Sequence, residues 1–168
     1  MKSTYFFVCA AVSLSLAFTS CDKDDSMDDG EKTVLEGKWE LSERTDYDNN
    51  GYADQVESFT FNGNKFVLES TETGVNPAGE SWGYGHKLTG TFTCTETSFT
   101  IKVEKFYAFN NDDRAFDWHE YEEGTVGQSF TFSYETKDGK SLGVTAPRDF
   151  AMGGGSFLGT GQVWYTKK

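Results

Sequence analysis

Ser58-Phe59-Thr60-Phe61-Asn62-Gly63-Asn64-Lys65-Phe66-Val67-Leu68-Glu69 is the stretch that decides the fold of this chain. Phe59 and Phe61 alternate with Ser58 and Thr60. Asn62-Gly63-Asn64 then turns the chain, and Phe66 and Leu68 continue against Lys65 and Glu69. Successive side chains of a strand point to opposite faces, so this alternation gives one buried face and one wet face. Asn-Gly between two such runs is a strong hairpin signal, because glycine accepts the positive φ of a tight turn.

The same period of two recurs on both sides of this hairpin. Leu35, Trp39 and Leu41 share one side of a first strand, and Lys38, Glu40 and Ser42 share the other. Leu88, Gly90, Phe92 and Cys94 alternate with four threonines, and Phe99, Ile101 and Val103 alternate with Thr100, Lys102 and Glu104. Phe130, Phe132 and Tyr134 form another such run. Lys137-Asp138-Gly139-Lys140 turns into Leu142 and Val144, and a last strand spans Gln162 to Thr166. Thr73 to Gly85, with Asn76-Pro77 and several glycines, reads as a longer loop. Asp112 to Glu123 is the one stretch compatible with an amphipathic helix.

About eight strands joined in sequence predict an all-β, antiparallel up-and-down barrel, which removes exposed sheet edges. A two-sheet β-sandwich is the alternative. In the barrel the Trp39 strand and the Trp164 strand are neighbours.

The first residues are an address. Lys2 precedes an apolar run from Tyr5 to Phe18, and Thr19-Ser20 lead into Cys21. That order is a secretory signal peptide, too short for a stable membrane span. Leu16-Ala17-Phe18-Thr19-Ser20-Cys21 resembles a bacterial lipobox, which implies cleavage before Cys21 and lipidation of that residue. Residues 1–20 are thus the signal peptide and 21–32 a tether. Asp22, Asp24, Asp25, Asp28, Asp29 and Glu31 make the tether self-repelling and solvated. It is similar to the acid-rich export signals of surface-exposed lipoproteins in Gram-negative bacteria, and it equally fits a plain polar linker. The expected location is the outer membrane of the cell envelope, with the domain at residues 33–168 held there by its lipid.

Removing residues 1–20 takes one base, Lys2, from the 15 and none of the 27 acids, leaving a formal charge of 14 − 27 = −13. So acidic a surface argues against nucleic acid, whose phosphates need lysine and arginine, and against direct docking on anionic lipid. Loss of Cys9 and modification of Cys21 leave the domain a single cysteine, Cys94, too few for a disulfide framework or a thiolate metal site.

Asp46-Tyr47-Asp48-Asn49-Asn50-Gly51-Tyr52-Ala53-Asp54-Gln55-Val56-Glu57 carries the most chemistry. An EF-hand calcium loop takes oxygen ligands at positions one, three, five, seven, nine and twelve, with glycine at six. Counted from Asp46, these are Asp46, Asp48, Asn50, the Tyr52 carbonyl, Asp54 and Glu57, with Gly51 at six. The expectation is a structural Ca²⁺ site between the first two strands; a polar turn is the alternative.

Other groups carry less. Asn110 to Asp113 read as a solvated loop. His86 and His119 lack metal-ligand spacing. Trp82, Tyr84, Trp118 and Tyr121, with Phe116, fall in the two longest loops, where they would line a cup mouth, stack on sugar rings or anchor the loops. Gly153-Gly154-Gly155-Ser156 is neither a phosphate loop nor a nucleophile elbow. No spacing suggests a catalytic triad, and no enzyme is expected.

Gly37-Lys38-Trp39 resembles the Gly-x-Trp signature on the first strand of lipocalins. The resemblance implies an eight-stranded barrel with a ligand cup, its closed end plugged by Trp39. It also implies a basic residue packed on that tryptophan, which here has to be Lys167 or Lys168. The helix usual before the last strand is replaced by the glycine-rich stretch Met152 to Gly161. Two function classes follow. One is a lipocalin-like lipoprotein holding a small apolar or amphipathic ligand; the other is a β-sandwich surface module binding glycan or protein through its loop aromatics.

Overall fold

A computed structural model describes residues 33–47, 51–110, 117–122, 124–152, 156–159 and 161–168. The expected signal peptide, Cys21 and the expected tether lie outside the described residues. Among the described residues nine strands form: β1 (Gly37–Asp46), β2 (Tyr52–Asn62), β3 (Lys65–Val75), β4 (Ser81–Cys94), β5 (Ser98–Phe109), β6 (His119–Tyr121), β7 (Ser129–Lys137), β8 (Ser141–Thr145) and β9 (Gln162–Lys167). Eight of them close an antiparallel ring in the order β1-β2-β3-β4-β5-β7-β8-β9, with β9 returning to β1. The first and last strands pair at Trp39↔Lys167 and Glu40↔Thr166. The fold is therefore the closed up-and-down barrel, not two packed sheets.

The ninth strand, β6, borders only the far end of β5, beyond the reach of β7. It lies within the Asp112 to Glu123 stretch that the sequence pattern allowed as a helix, of which 112–116 and 123 are outside the described residues. Among the described residues no helix forms.

The founding hairpin forms as read. β2 and β3 pair from Phe59↔Leu68 to Asn62↔Lys65, and Gly63 turns the chain with φ +57°. The expected long loop from Thr73 to Gly85 is instead a tight turn between two long strands, paired up to Val75↔Ser81. Asn76 makes this possible. Its side-chain oxygen accepts from the amides of Ala78 and Glu80, each at 3.0 Å, doing locally what a longer loop would otherwise need.

Gly90 marks a register shift between β4 and β5. A Cβ there would lie 2.0 Å from the Lys102 carbonyl oxygen, so the strands approach this closely only because the side chain is absent.

The closed half of the barrel is filled by its own aromatics. Phe59 stands edge-on to Phe99 at 5.6 Å, to Phe132 at 6.0 Å and to Tyr165 at 5.3 Å, measured between ring centroids. Phe61 meets Phe92 at 4.7 Å. These are the separations aromatic pairs prefer. At the base Trp39 is fully buried and its indole Nε1 donates to the Leu35 carbonyl at 2.6 Å. Lys167 Nζ stands 4.9 Å from the Trp39 ring centre. Lys167 thus takes the position in which the lipocalin resemblance required a basic residue.

Described residues between β8 and β9 reach into the barrel. Phe150 packs edge-on against Phe130 and Phe132 at 5.1 and 4.9 Å, and Met152 is buried beside the same core.

Candidate functional site

Above the aromatic plug the interior turns polar. The register places Glu57, Ser70 and His86 side by side on β2, β3 and β4. One step further from the base come Gln55, Glu72 and Tyr84 on the same three strands. Period-two alternation sends all of them inward, continuing the face that carries Phe59, Leu68 and Leu88 below.

Glu57 is fully buried. Its carboxylate accepts from the hydroxyl of Tyr165, from Ser156 Oγ at 2.5 Å and from the Phe157 amide at 3.2 Å. Burial pushes the Glu57 carboxyl above its ordinary range, opposed by hydrogen bonds from Ser156, Tyr165, Phe157 and Ser70. The Tyr165 hydroxyl is driven well above its usual value by burial and by the neighbouring Glu57. One carboxylate therefore ties β2, β9 and the β8–β9 segment together. A buried carboxylate with several donors and no cation is costly to strip of any one of them.

A cavity of about 440 Å³ lies at this open end, on the β4–β5–β6 side. Tyr84, His86, Phe106 and Ala108 form its strand walls. Tyr121 of β6, Thr125 of the β6–β7 turn and Met152 of the β8–β9 segment complete it. The Tyr84 hydroxyl donates to Glu72, and burial together with that carboxylate pushes it up to about 12. His86 stacks on Phe106 with ring centres 5.8 Å apart. The Thr125 turn is fixed to β5, since the Gly127 amide donates to Val103 and the Val103 amide to Gln128.

The aromatics singled out in the sequence separate. Tyr84 and Tyr121 line the cavity. Trp82 stacks beside Tyr84, 6.1 Å between ring centres, and lies against Gly74. Trp118 anchors the outside of the barrel: it packs on Phe109 at 4.7 Å, covers Gly85 and lies 4.2 Å from Lys87 Nζ. Phe116 lies outside the described residues. Sequence reading missed the other lining residues, His86, Phe106, Thr125 and Met152 among them. The alternation placed Leu88 inward, and the same count carried two residues back reaches His86.

The calcium set is parted. Asp48 and Asn50 lie outside the described residues. Tyr52 to Glu57 is not a loop but the start of β2, paired on both sides. Asp54 and Glu57 are three apart on an extended strand and so face opposite ways. Asp46 and Asp54 meet outside the barrel on Arg44, at 3.1 Å from Nε and 3.5 Å from Nη1, and the guanidinium lies 4.0 Å above the Tyr52 ring. Glu57 serves the interior, so it does not close a site with them. Among the described residues no cluster of three or more metal-ligating side chains forms.

No protein-family model matches the chain, and no curated protein matches it.

Proposed function

We propose that this is a lipid-anchored, extracytoplasmic binding protein of lipocalin-like build, which holds one small amphipathic molecule at the open end of its barrel. The observation that carries the reading is the division of the interior. Phenylalanines fill the closed half, while the other half keeps a cavity of about 440 Å³ whose walls mix aromatic and polar side chains. Small-molecule sites have this size. The ligand is therefore compact, because the aromatic plug stops it from running the length of the barrel. The Cys21 anchor and acidic tether would place this opening in the cell envelope. The role is binding, with no catalytic step.

Native mass spectrometry of the protein purified from its own cell envelope tests the reading. We expect a bound mass that disappears after denaturation and is recovered in an organic extract. A single unliganded mass, unchanged on adding envelope extract, would overturn it.

A further inference from the structure

The binding reading leaves the chemistry of the ligand open, and the cavity walls narrow it. We propose that the site takes a neutral, ring-bearing molecule with a hydroxyl or carbonyl end, and rejects carboxylates. The inference rests on the binding function proposed above.

Charge is the first ground. Among the described residues lining the cavity there is no lysine, arginine, aspartate or glutamate. The formal charges nearest to it inside the barrel are acidic. Glu72 accepts from Tyr84 on the wall, and Glu57 lies two strands from His86 at the same level. The closest base on β4, Lys87, faces outward onto Tyr107 and Trp118, 5.2 and 4.2 Å from their ring centres. A carboxylate entering the cavity would shed water, find no lysine or arginine among the described lining residues and meet like charge.

Unmet hydrogen bonding is the second ground. His86 Nδ1 and Thr125 Oγ1 are buried with no partner among the described residues. Both belong to wall residues, one on β4 and the other on the β6–β7 turn. Buried polar atoms in native proteins are nearly always paired, so two on one cavity call for an explanation. A hydroxyl or carbonyl that reached either atom from the cavity would satisfy it. A hydroxyl both donates and accepts, which suits an imidazole nitrogen and a threonine hydroxyl together.

Shape is the third. The stacked His86–Phe106 pair, with Tyr121 tilted against Phe106 at 6.3 Å, is an aromatic wall. Flat rings stack or stand edge-on against such a wall.

The test compares naphthylmethanol with naphthoate, two probes of matched ring and opposite polarity, by calorimetric titration of the lipid-free domain at neutral pH. The alcohol is expected to bind at least about tenfold tighter, the scale of one charge-selective contact. Thr125→Val and His86→Phe, each checked for folding by circular dichroism, should weaken the alcohol by about tenfold, the scale of one lost hydrogen bond. If naphthoate binds as tightly as the alcohol, the proposed ligand class is wrong while the binding function stands. If neither probe binds at millimolar levels, both fail. If both folded variants bind the alcohol at full strength, the assignment of His86 and Thr125 is overturned. The comparison on the natural chain decides the charge argument even where a variant does not fold.

Discussion

The hydroxyl of Tyr165 donates a hydrogen bond to the carboxylate of Glu57 in the middle of the barrel, joining a residue near the end of the chain to one on its second strand. With Ser156 and the Phe157 amide on the same carboxylate, this contact ties the β8–β9 segment to the barrel interior. The segment carries Met152 to the cavity wall, so the fully buried Glu57 helps to shape the site without lining it.

Glu57 should make stability depend on pH. Its folded pKa is raised by burial above the unfolded value of about 4.3. The folded state then holds the proton more tightly than the unfolded chain. This contribution is fully present below the unfolded pKa and is lost as pH rises through the folded one. Urea unfolding of the natural chain and of Glu57→Gln, from mildly acidic to neutral pH, should show the natural chain losing ground against the variant as pH rises. Parallel curves would contradict the assignment. Tyr165→Phe should cost about 2 kcal/mol at neutral pH and less in mild acid, because it leaves a buried carboxylate short of a donor.

Trp39 plugs the closed end with its indole nitrogen on the Leu35 carbonyl and Lys167 over its ring. Trp39→Phe removes a buried hydrogen bond and leaves a void. A loss of about 2 kcal/mol is expected by denaturant titration. An unchanged midpoint would mean that the base of the barrel is not closed as described.

Gly90→Ala places a methyl group where the Lys102 carbonyl oxygen would lie 2.0 Å away. Backbone rather than a flexible side chain blocks it, so β4 and β5 must separate at the register shift. The expected cost is about 3 kcal/mol, at the high end for overpacking. Gly139→Asn, in a turn where nothing lies within 4 Å and asparagine tolerates the positive φ, should cost under about 1 kcal/mol.

A calcium ion held by Asp46, Asp48, Asn50, the Tyr52 carbonyl and Asp54 would have to displace Arg44, which sits between two of those acids. Millimolar calcium should therefore raise the thermal midpoint of the natural chain slightly and that of Arg44→Ala more. Glu57→Gln should keep the response and Asp48→Ala should lose it. No calcium response in Arg44→Ala would rule out the calcium site expected from the sequence.

The membrane anchor has its own test. Cys21→Ser should move the protein out of the detergent-extractable membrane fraction. Retention there through an anchor would show that Cys21 is not the lipidated residue.

Most strands, their inward faces and barrel closure were legible in the sequence, because strand period and turn chemistry are local, but the start of β2 and the facing ends of β3 and β4 were read as loops. Phe59, Phe61, Phe66 and Leu68 point inward as their spacing required, and Gly63 turns the chain between them. The calcium spacing was local too, but a ligand set needs its oxygens to converge. Pairing on both sides of β2 held Tyr52 to Glu57 extended and sent Asp54 and Glu57 to opposite faces. Nothing local to Glu57 reveals that its donors come from Ser156, Phe157 and Tyr165, about a hundred residues away. The cavity is of the same kind. His86, Thr125 and Met152 lie far apart along the chain, and they share one wall only because ring closure and the inward path of the β8–β9 segment bring them there. Local patterning thus determined the strands and the barrel, while long-range closure decided which polar groups meet inside it.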